Sequence, residues 1–194
     1  ALITRSTYDV KGRLTRIDSP LKATVIEWDD YGRKRAIEDP DTGRTEYTYD
    51  TGAVGRVAWG RLRTLTRPDP NGGAGRITTT YTYEAAGRVA REVSSDGTEV
   101  TYTYDDPAVT NGLGKVTRIA QVRAGVTLVS SYAYDGLGNR SRVFRSAAGP
   151  GFSFSGSEGQ TFDVFGRLWK LTYADGSVAT YRYHGVSRQP REVD

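Results

Sequence analysis

The feature that most constrains this chain is its self-similarity. Aligned on an aromatic residue followed by an acid, the sequence contains eight copies of one pattern. They are "TYDVKGRLTRI" from Thr7, "EWDDYGRKRAI" from Glu27, "YTYDTGAVGRV" from Tyr47, "YTYEAAGRVAREV" from Tyr81, "YTYDDPAVTNGLGKVTRI" from Tyr102, "YAYDGLGNRSRV" from Tyr132, "TFDVFGRLWKL" from Thr161 and the decayed "YRYHGVSR" from Tyr181. The anchor aromatics Tyr8, Trp28, Tyr49, Tyr83, Tyr104, Tyr134, Phe162 and Tyr183 follow one another at 20, 21, 34, 21, 30, 28 and 21 residues. The short spacings define the unit. The long ones carry stretches rich in Gly, Pro or Ala, which read as insertions near 53–77, 106–114 and 146–160 of a single array spanning 1–194.

Each copy reads as strand, turn, strand. In "TEVTYTYD", Val100, Tyr102 and Tyr104 alternate with Glu99, Thr101 and Thr103. Successive side chains of a strand point to opposite faces, which makes one face aromatic and the other polar. The pairs Tyr47/Tyr49, Tyr81/Tyr83, Tyr102/Tyr104, Tyr132/Tyr134 and Tyr181/Tyr183 hold 10 of the 13 tyrosines, so the aromatic face is the contact surface of the sheet. The acids Asp9, Asp29, Asp50, Glu84, Asp105, Asp135 and Asp163 follow the anchors. Glycines stand three positions after five of them, at Gly12, Gly32, Gly87, Gly138 and Gly166. An acid at the first position and Gly at the fourth suit a type I turn whose last residue needs a positive φ. Arg13, Arg33, Arg88 and Arg167 come next, four residues after their acids, and are placed to pair with them across the turn. A second turn, such as Ser95-Asp96-Gly97 or Ala174-Asp175-Gly176, returns the chain to the next strand. The expected fold is all-β: an array of eight antiparallel hairpins in a curved or spiralling sheet, each burying its aromatic face only with its neighbours.

These motifs resemble the YD-repeat, or Rhs-repeat, proteins, on "YTYD", "YAYDGLGNR", "FDVFGRL" and "YDVKGRL". The resemblance covers essentially the whole chain. It implies a β-hairpin ribbon coiled into a shell, as in Rhs polymorphic toxins, the shell components of Tc insecticidal toxins and teneurin ectodomains, enclosing a C-terminal toxic domain in the bacterial members. Eight repeats are fewer than such shells use, so the chain reads as a fragment whose partners are neighbouring repeats or further copies of itself. "RPDPNGG", from Arg67, echoes the autoproteolytic element of those toxins but is followed by more repeats, and reads as an insertion loop. The implied setting is a bacterial secreted or cell-surface protein.

Other chemistry finds little footing. The net charge is +4 with the two signs interspersed, unlike a nucleic-acid footprint. No apolar run of membrane-spanning length occurs. There is no cysteine, hence no disulfide, thiol nucleophile or Cys-bound zinc. His184, the single histidine, stands where the repeat acid belongs in the last copy and reads as a turn residue. "GGAG" and "GLGNR" lack the strand-to-helix setting of a phosphate loop. The Asp-Gly pairs lack the spacing of a calcium loop. No catalytic residue, cofactor or metal is expected. The leading reading is a non-catalytic scaffold segment of a toxin shell. The alternative is a surface-binding, adhesin or filament module recognising glycan or protein. Trp28 occupies an anchor slot and Trp169 a second strand, whereas Trp59 lies in an insertion and is the tryptophan to test for exposure.

Overall fold

The computed structural model describes residues 3–52, 59–70, 72–73 and 75–194. The described residues form strands and turns, with no helix. Two compact units divide the chain, Ala1–Gly97 and Thr98–Asp194. In the first, four hairpins follow in order: β1 (Arg5–Tyr8) with β2 (Leu14–Ser19), β3 (Lys22–Trp28) with β4 (Lys34–Asp39), β5 (Gly43–Tyr49) with β6 (Leu62–Pro68), and β7 (Arg76–Tyr83) with β8 (Val89–Ser94). In the second, β9 (Glu99–Tyr104) pairs with β10 (Val116–Arg123), β11 (Val126–Tyr134) with β12 (Arg140–Gly149), β13 (Phe152–Phe162) with β14 (Leu168–Thr172), and β15 (Val178–Tyr183) with β16 (Pro190–Val193). Within each unit every strand pairs antiparallel with the one before and after it, an uninterrupted meander.

The two faces differ as the alternation requires. In the first unit Ile26 lies opposite Ile37 and Tyr47 opposite Leu65, which puts these aliphatic residues on the anchors' face, while Tyr81 lies opposite Glu92. On the other face Thr48 bonds Thr64 at 2.6 Å and Thr66 bonds Thr78 at 2.9 Å, a threonine ladder over β5, β6 and β7. A single sheet layer buries little. Among the described residues Ala36, Ile77 and Val143 are the buried apolar ones, and the tyrosines of the five pairs are half-buried. The accessible surface of 12821 Å² exceeds the roughly 9,100 Å² of a compact protein of this mass.

The stretches expected as insertions take different forms. Residues 53–58 lie outside the described residues, but the rest of 53–77 contains β6 and the start of β7. Residues 106–114 form a loop. Residues 146–160 belong mostly to β12 and β13, which run to 10 and 11 residues and meet at Pro150-Gly151, where Gly151 takes φ 79°. Their small Ala, Ser and Gly side chains do not interrupt a backbone ladder that pairs continuously from Arg142↔Gly159 to Gly149↔Phe152.

Candidate functional site

The repeat motif builds one structure many times, along the rim where the first strand of each hairpin turns into the second. At the first hairpin the Asp9 amide donates to Arg13 O at 2.9 Å and Gly12 N donates to Asp9 O at 2.9 Å. Asp9 Oδ1 accepts the amides of Lys11 and Arg13, both at 2.9 Å, while Oδ2 takes Arg13 Nε at 2.6 Å. Asp29 repeats this with Tyr31 and Arg33, and Asp163 with Phe165 and Arg167. Glu84 accepts two bonds along one edge of the Arg88 guanidinium, from Nε at 2.7 Å and Nη2 at 2.9 Å. Gly12, Gly32, Gly87, Gly138 and Gly166 all close their turns at φ between 72 and 83°, the left-handed region open to glycine.

The carboxylates of Asp9, Asp29, Asp135 and Asp163 lie below their usual range. The Arg13 amide is the main cause that lowers Asp9, and the Asn139 side-chain amide is the main cause for Asp135. At Asp29 and Asp163 burial pushes upward, but the amides and guanidiniums of Arg33 and Arg167 outweigh it.

The arginine does not stop at its own turn. Arg13 Nη1 donates to Asp29 O, in the next hairpin, at 3.1 Å, and its guanidinium lies over the Trp28 ring at 5.5 Å. Arg33 reaches Gly60 O at 3.3 Å and covers Tyr49 at 4.2 Å. Arg167 reaches Gly185 O at 2.6 Å and covers Tyr183 at 4.4 Å. Arg61 and Lys115 lie over Tyr83 and Tyr134 in the same way, at 5.5 and 5.1 Å.

Five anchors answer. Trp28 Nε1 donates back to Leu14 O at 2.8 Å, Tyr49 Oη to Lys34 O at 2.7 Å, Tyr83 to Leu62 O at 2.6 Å, Tyr134 to Val116 O at 2.5 Å and Tyr183 to Leu168 O at 2.7 Å. Every one of these carbonyls belongs to the first residue of the preceding hairpin's second strand. Burial raises the hydroxyls of Tyr49, Tyr83 and Tyr134, which keeps them protonated as donors. Acid, arginine, ring and carbonyl thus form a brace that joins consecutive hairpins.

Opposite every anchor the second strand carries one extra residue, a β-bulge, among them Thr15, Thr117 and Trp169. The hydroxyls of Thr15 and Thr117 bond back to Thr7 O and Thr103 O, both at 3.2 Å. Trp169 is 46% exposed there, with Lys170 over its ring at 4.4 Å.

The copies depart from the pattern in informative ways. Tyr8 is 59% exposed. In the third copy, Gly60 and Arg61 close the turn on Asp50, while Gly55 and Arg56 of the repeat pattern lie outside the described residues. In the fifth, Asp105, at φ 55°, closes its turn with Lys115. In the sixth, Asn139 stands at the arginine position and donates Nδ2 to Asp135 Oδ2 at 3.0 Å. The anchor that would receive that arginine is Phe162, which has no hydroxyl to return. Both halves of the brace are therefore replaced at the same joint. The first residues of the pairs share the anchors' face: Tyr102 lies opposite Ile119, Tyr132 opposite Val143 and Tyr181 opposite Val193.

The polar face of the first unit carries an ion cluster that no motif announced. Arg44 sits among Glu27 at 2.8 Å, Glu46 at 2.9 Å and Glu38 at 3.7 Å. Arg35 takes Glu27 at 2.7 Å, and Arg76 takes Glu46 at 2.9 Å. Hydrogen bonds from Arg44 and Arg35 bring Glu27 down to about 2.

Comparison with solved structures agrees with this geometry. Over 99% of its length the chain superposes on part of the TcdB2-TccC3-Cdc42 crystal structure, with a TM-score of 0.70 at 18% identity. The fold is that of the YD-repeat shell of Tc toxins. The Tc holotoxin pore of Photorhabdus luminescens gives a TM-score of 0.71 at 17% identity over 99% of the chain. TcdB2-TccC3 without its hypervariable C-terminal region gives 0.60 at 16% over 94%. The chain spans only 10 to 12% of those chains' lengths. No protein-family model matches the chain, and no curated protein matches it in sequence. The YD-repeat fold expected from the motifs is the fold observed.

Proposed function

We propose that this chain is a load-carrying wall segment of a secreted bacterial toxin shell, without catalysis of its own, whose larger assembly encloses a C-terminal effector. The observation that carries this reading is the brace. In the first unit its acids, arginines and ring donors are engaged in joining hairpin to hairpin, so the most regular feature of the sequence is used for extending a sheet. Asp9, Asp29 and Asp163 are lowered and bonded to their own turns, which suits structural anions. A half-buried aromatic face is what a wall presents when a further layer or a cargo covers it.

The reading is tested on the full-length protein that contains this segment. Limited proteolysis should leave the polypeptide downstream of the repeats intact under native conditions and degrade it once the shell is opened with denaturant. Equal digestion under both conditions would refute encapsulation.

A further inference from the structure

Four consecutive turns on one rim of the second unit carry apolar side chains at their tips. Leu113 stands between Gly112 and Lys115, whose amide returns to Gly112 O at 3.0 Å. Leu137 lies in the Asp135–Gly138 turn, Val164 and Phe165 in the Asp163–Gly166 turn, and Val186 in the His184–Ser187 turn, each closed by the same kind of bond at 2.9 to 3.1 Å. The five side chains are 65 to 88% exposed. Turns in water ordinarily take Gly, Asn, Asp or Ser at such positions. The backbone here does not call for anything else: the Leu137 and Phe165 amides bond Asp135 Oδ1 and Asp163 Oδ1, and any residue with an amide does the same. In the first unit the corresponding tips mix Val10 with Lys11 and Tyr31 with Asp30, and the fourth carries Ala85 and Ala86. The unbroken apolar row belongs to the second unit.

We infer that this row of tips inserts into the interfacial region of a lipid bilayer and holds the second unit edge-on against it. Shape decides against a protein partner. Neighbouring turns on this rim are two strands apart, about 9–10 Å, so the tips form a line about 30 Å long and only one or two side chains wide. A standard protein interface takes about 800 Å² from each partner as a continuous patch, which such a line does not supply. Lipid is fluid and closes around each tip separately, burying apolar area without a matching surface. Charge then selects the headgroup. The rim carries Lys115, Arg140, Arg167 and Arg188 together with Asp105, Asp106, Asp135 and Asp163, so the two signs balance, and Arg167 is already held by Asp163 at 2.6 Å. A zwitterionic surface meets this rim without repulsion, and an anionic one gains nothing further. Apolar transfer alone drives the contact. The inference stands apart from the wall reading and does not depend on it.

Cosedimentation of the 194-residue chain with vesicles of phosphatidylcholine tests it. The chain should bind. Leu137→Ser and Phe165→Ser should each weaken the partition by about tenfold, the loss expected for a large apolar side chain kept from lipid. Leu21→Ser, at an exposed leucine in the turn between β2 and β3, should leave it unchanged. Adding phosphatidylglycerol, or raising sodium chloride about tenfold, should have no effect, because the rim is balanced in charge. Serine suits a turn tip, so unchanged circular dichroism spectra separate lost binding from lost folding. Phe165→Trp supplies a second readout: brominated acyl chains should quench the emission that this variant adds over wild type. No cosedimentation, binding that survives the Leu137→Ser/Phe165→Ser double variant, binding that requires phosphatidylglycerol and falls with salt, or an added emission that brominated lipid leaves unquenched would each overturn the inference.

Discussion

The brace makes a quantitative claim at Tyr49, which closes the joint between the second and third hairpins. Tyr49→Phe keeps the ring under the Arg33 guanidinium and removes only the hydrogen bond to Lys34 O. One intramolecular hydrogen bond of this kind contributes about 1 kcal/mol net, so the variant should lose that amount. Tyr49→Ala also gives up a half-buried ring and the cation–π contact at 4.2 Å, and should cost about 3 kcal/mol in all. Urea titrations followed by far-UV circular dichroism give both numbers. A cycle with Arg33→Ala isolates the ring–guanidinium coupling, expected at about 0.5–1 kcal/mol. Amide exchange locates the effect: protection should fall first in β4 and β5, the strands the brace ties together. If Tyr49→Phe matches wild type, the Arg33/Tyr49 cycle closes at zero and exchange in β4 and β5 is unmoved, the brace is a geometric coincidence and the reasoning fails.

Other expectations follow from the same geometry. Restoring the missing partners with Asn139→Arg and Phe162→Tyr together should raise the midpoint of thermal unfolding more than the two single changes combined; an additive or destabilising double variant would deny that position 139 faces position 162. Gly12→Ala meets no neighbour and pays only for a positive φ of 75°, about 1 kcal/mol, whereas an added Cβ at Gly87 collides with the Arg61 guanidinium, so Gly87→Ala should be the more damaging in chemical denaturation. Glu27 is held at about 2 by Arg44 and Arg35, below its usual 4.5, so its stabilisation is complete above pH 4.5 and disappears as pH falls towards 2. Glu27→Gln should therefore melt below wild type at neutral pH, with the gap closing through that acid window; a gap that stays constant from pH 7 to pH 2 would show that the cluster does not act through charge.

Much of this architecture is legible in the residues because a strand–turn–strand unit writes its period directly into the chain. Tyr-x-Tyr fixes the face, and Asp-x-x-Gly-Arg fixes the turn and the local ion pair. What the sequence hides is the destination of the arginine. Arg13 meets Asp29 O after 16 residues and Arg33 meets Gly60 O after 27, so loop length blurs the spacing of the contact that matters most between hairpins. A signal existed in the joint loss of Arg and Tyr at Asn139 and Phe162, which becomes readable once the positions are known to face each other. The segment "SAAGPGFSFSG", read as an insertion, lies mostly in β12 and β13, where cross-strand pairing overrides the weak strand preference of its Ala, Ser and Gly residues. The cluster around Arg44 stayed invisible because its members come from β3, β4, β5 and β7 with no common period.

The uniformity of the brace has a consequence for how such a gene can change. Where a hairpin presents the same arginine forward and the same ring backward, any regular joint can be exchanged for any other. An in-frame duplication or deletion of one whole unit, by unequal recombination between similar repeats, would leave matched partners at the new seam. The joint at Asn139 and Phe162 lies outside that interchange. Recombination there would set an arginine against a phenylalanine or an asparagine against a tyrosine, so a unit copied or lost at this seam would leave unmatched partners.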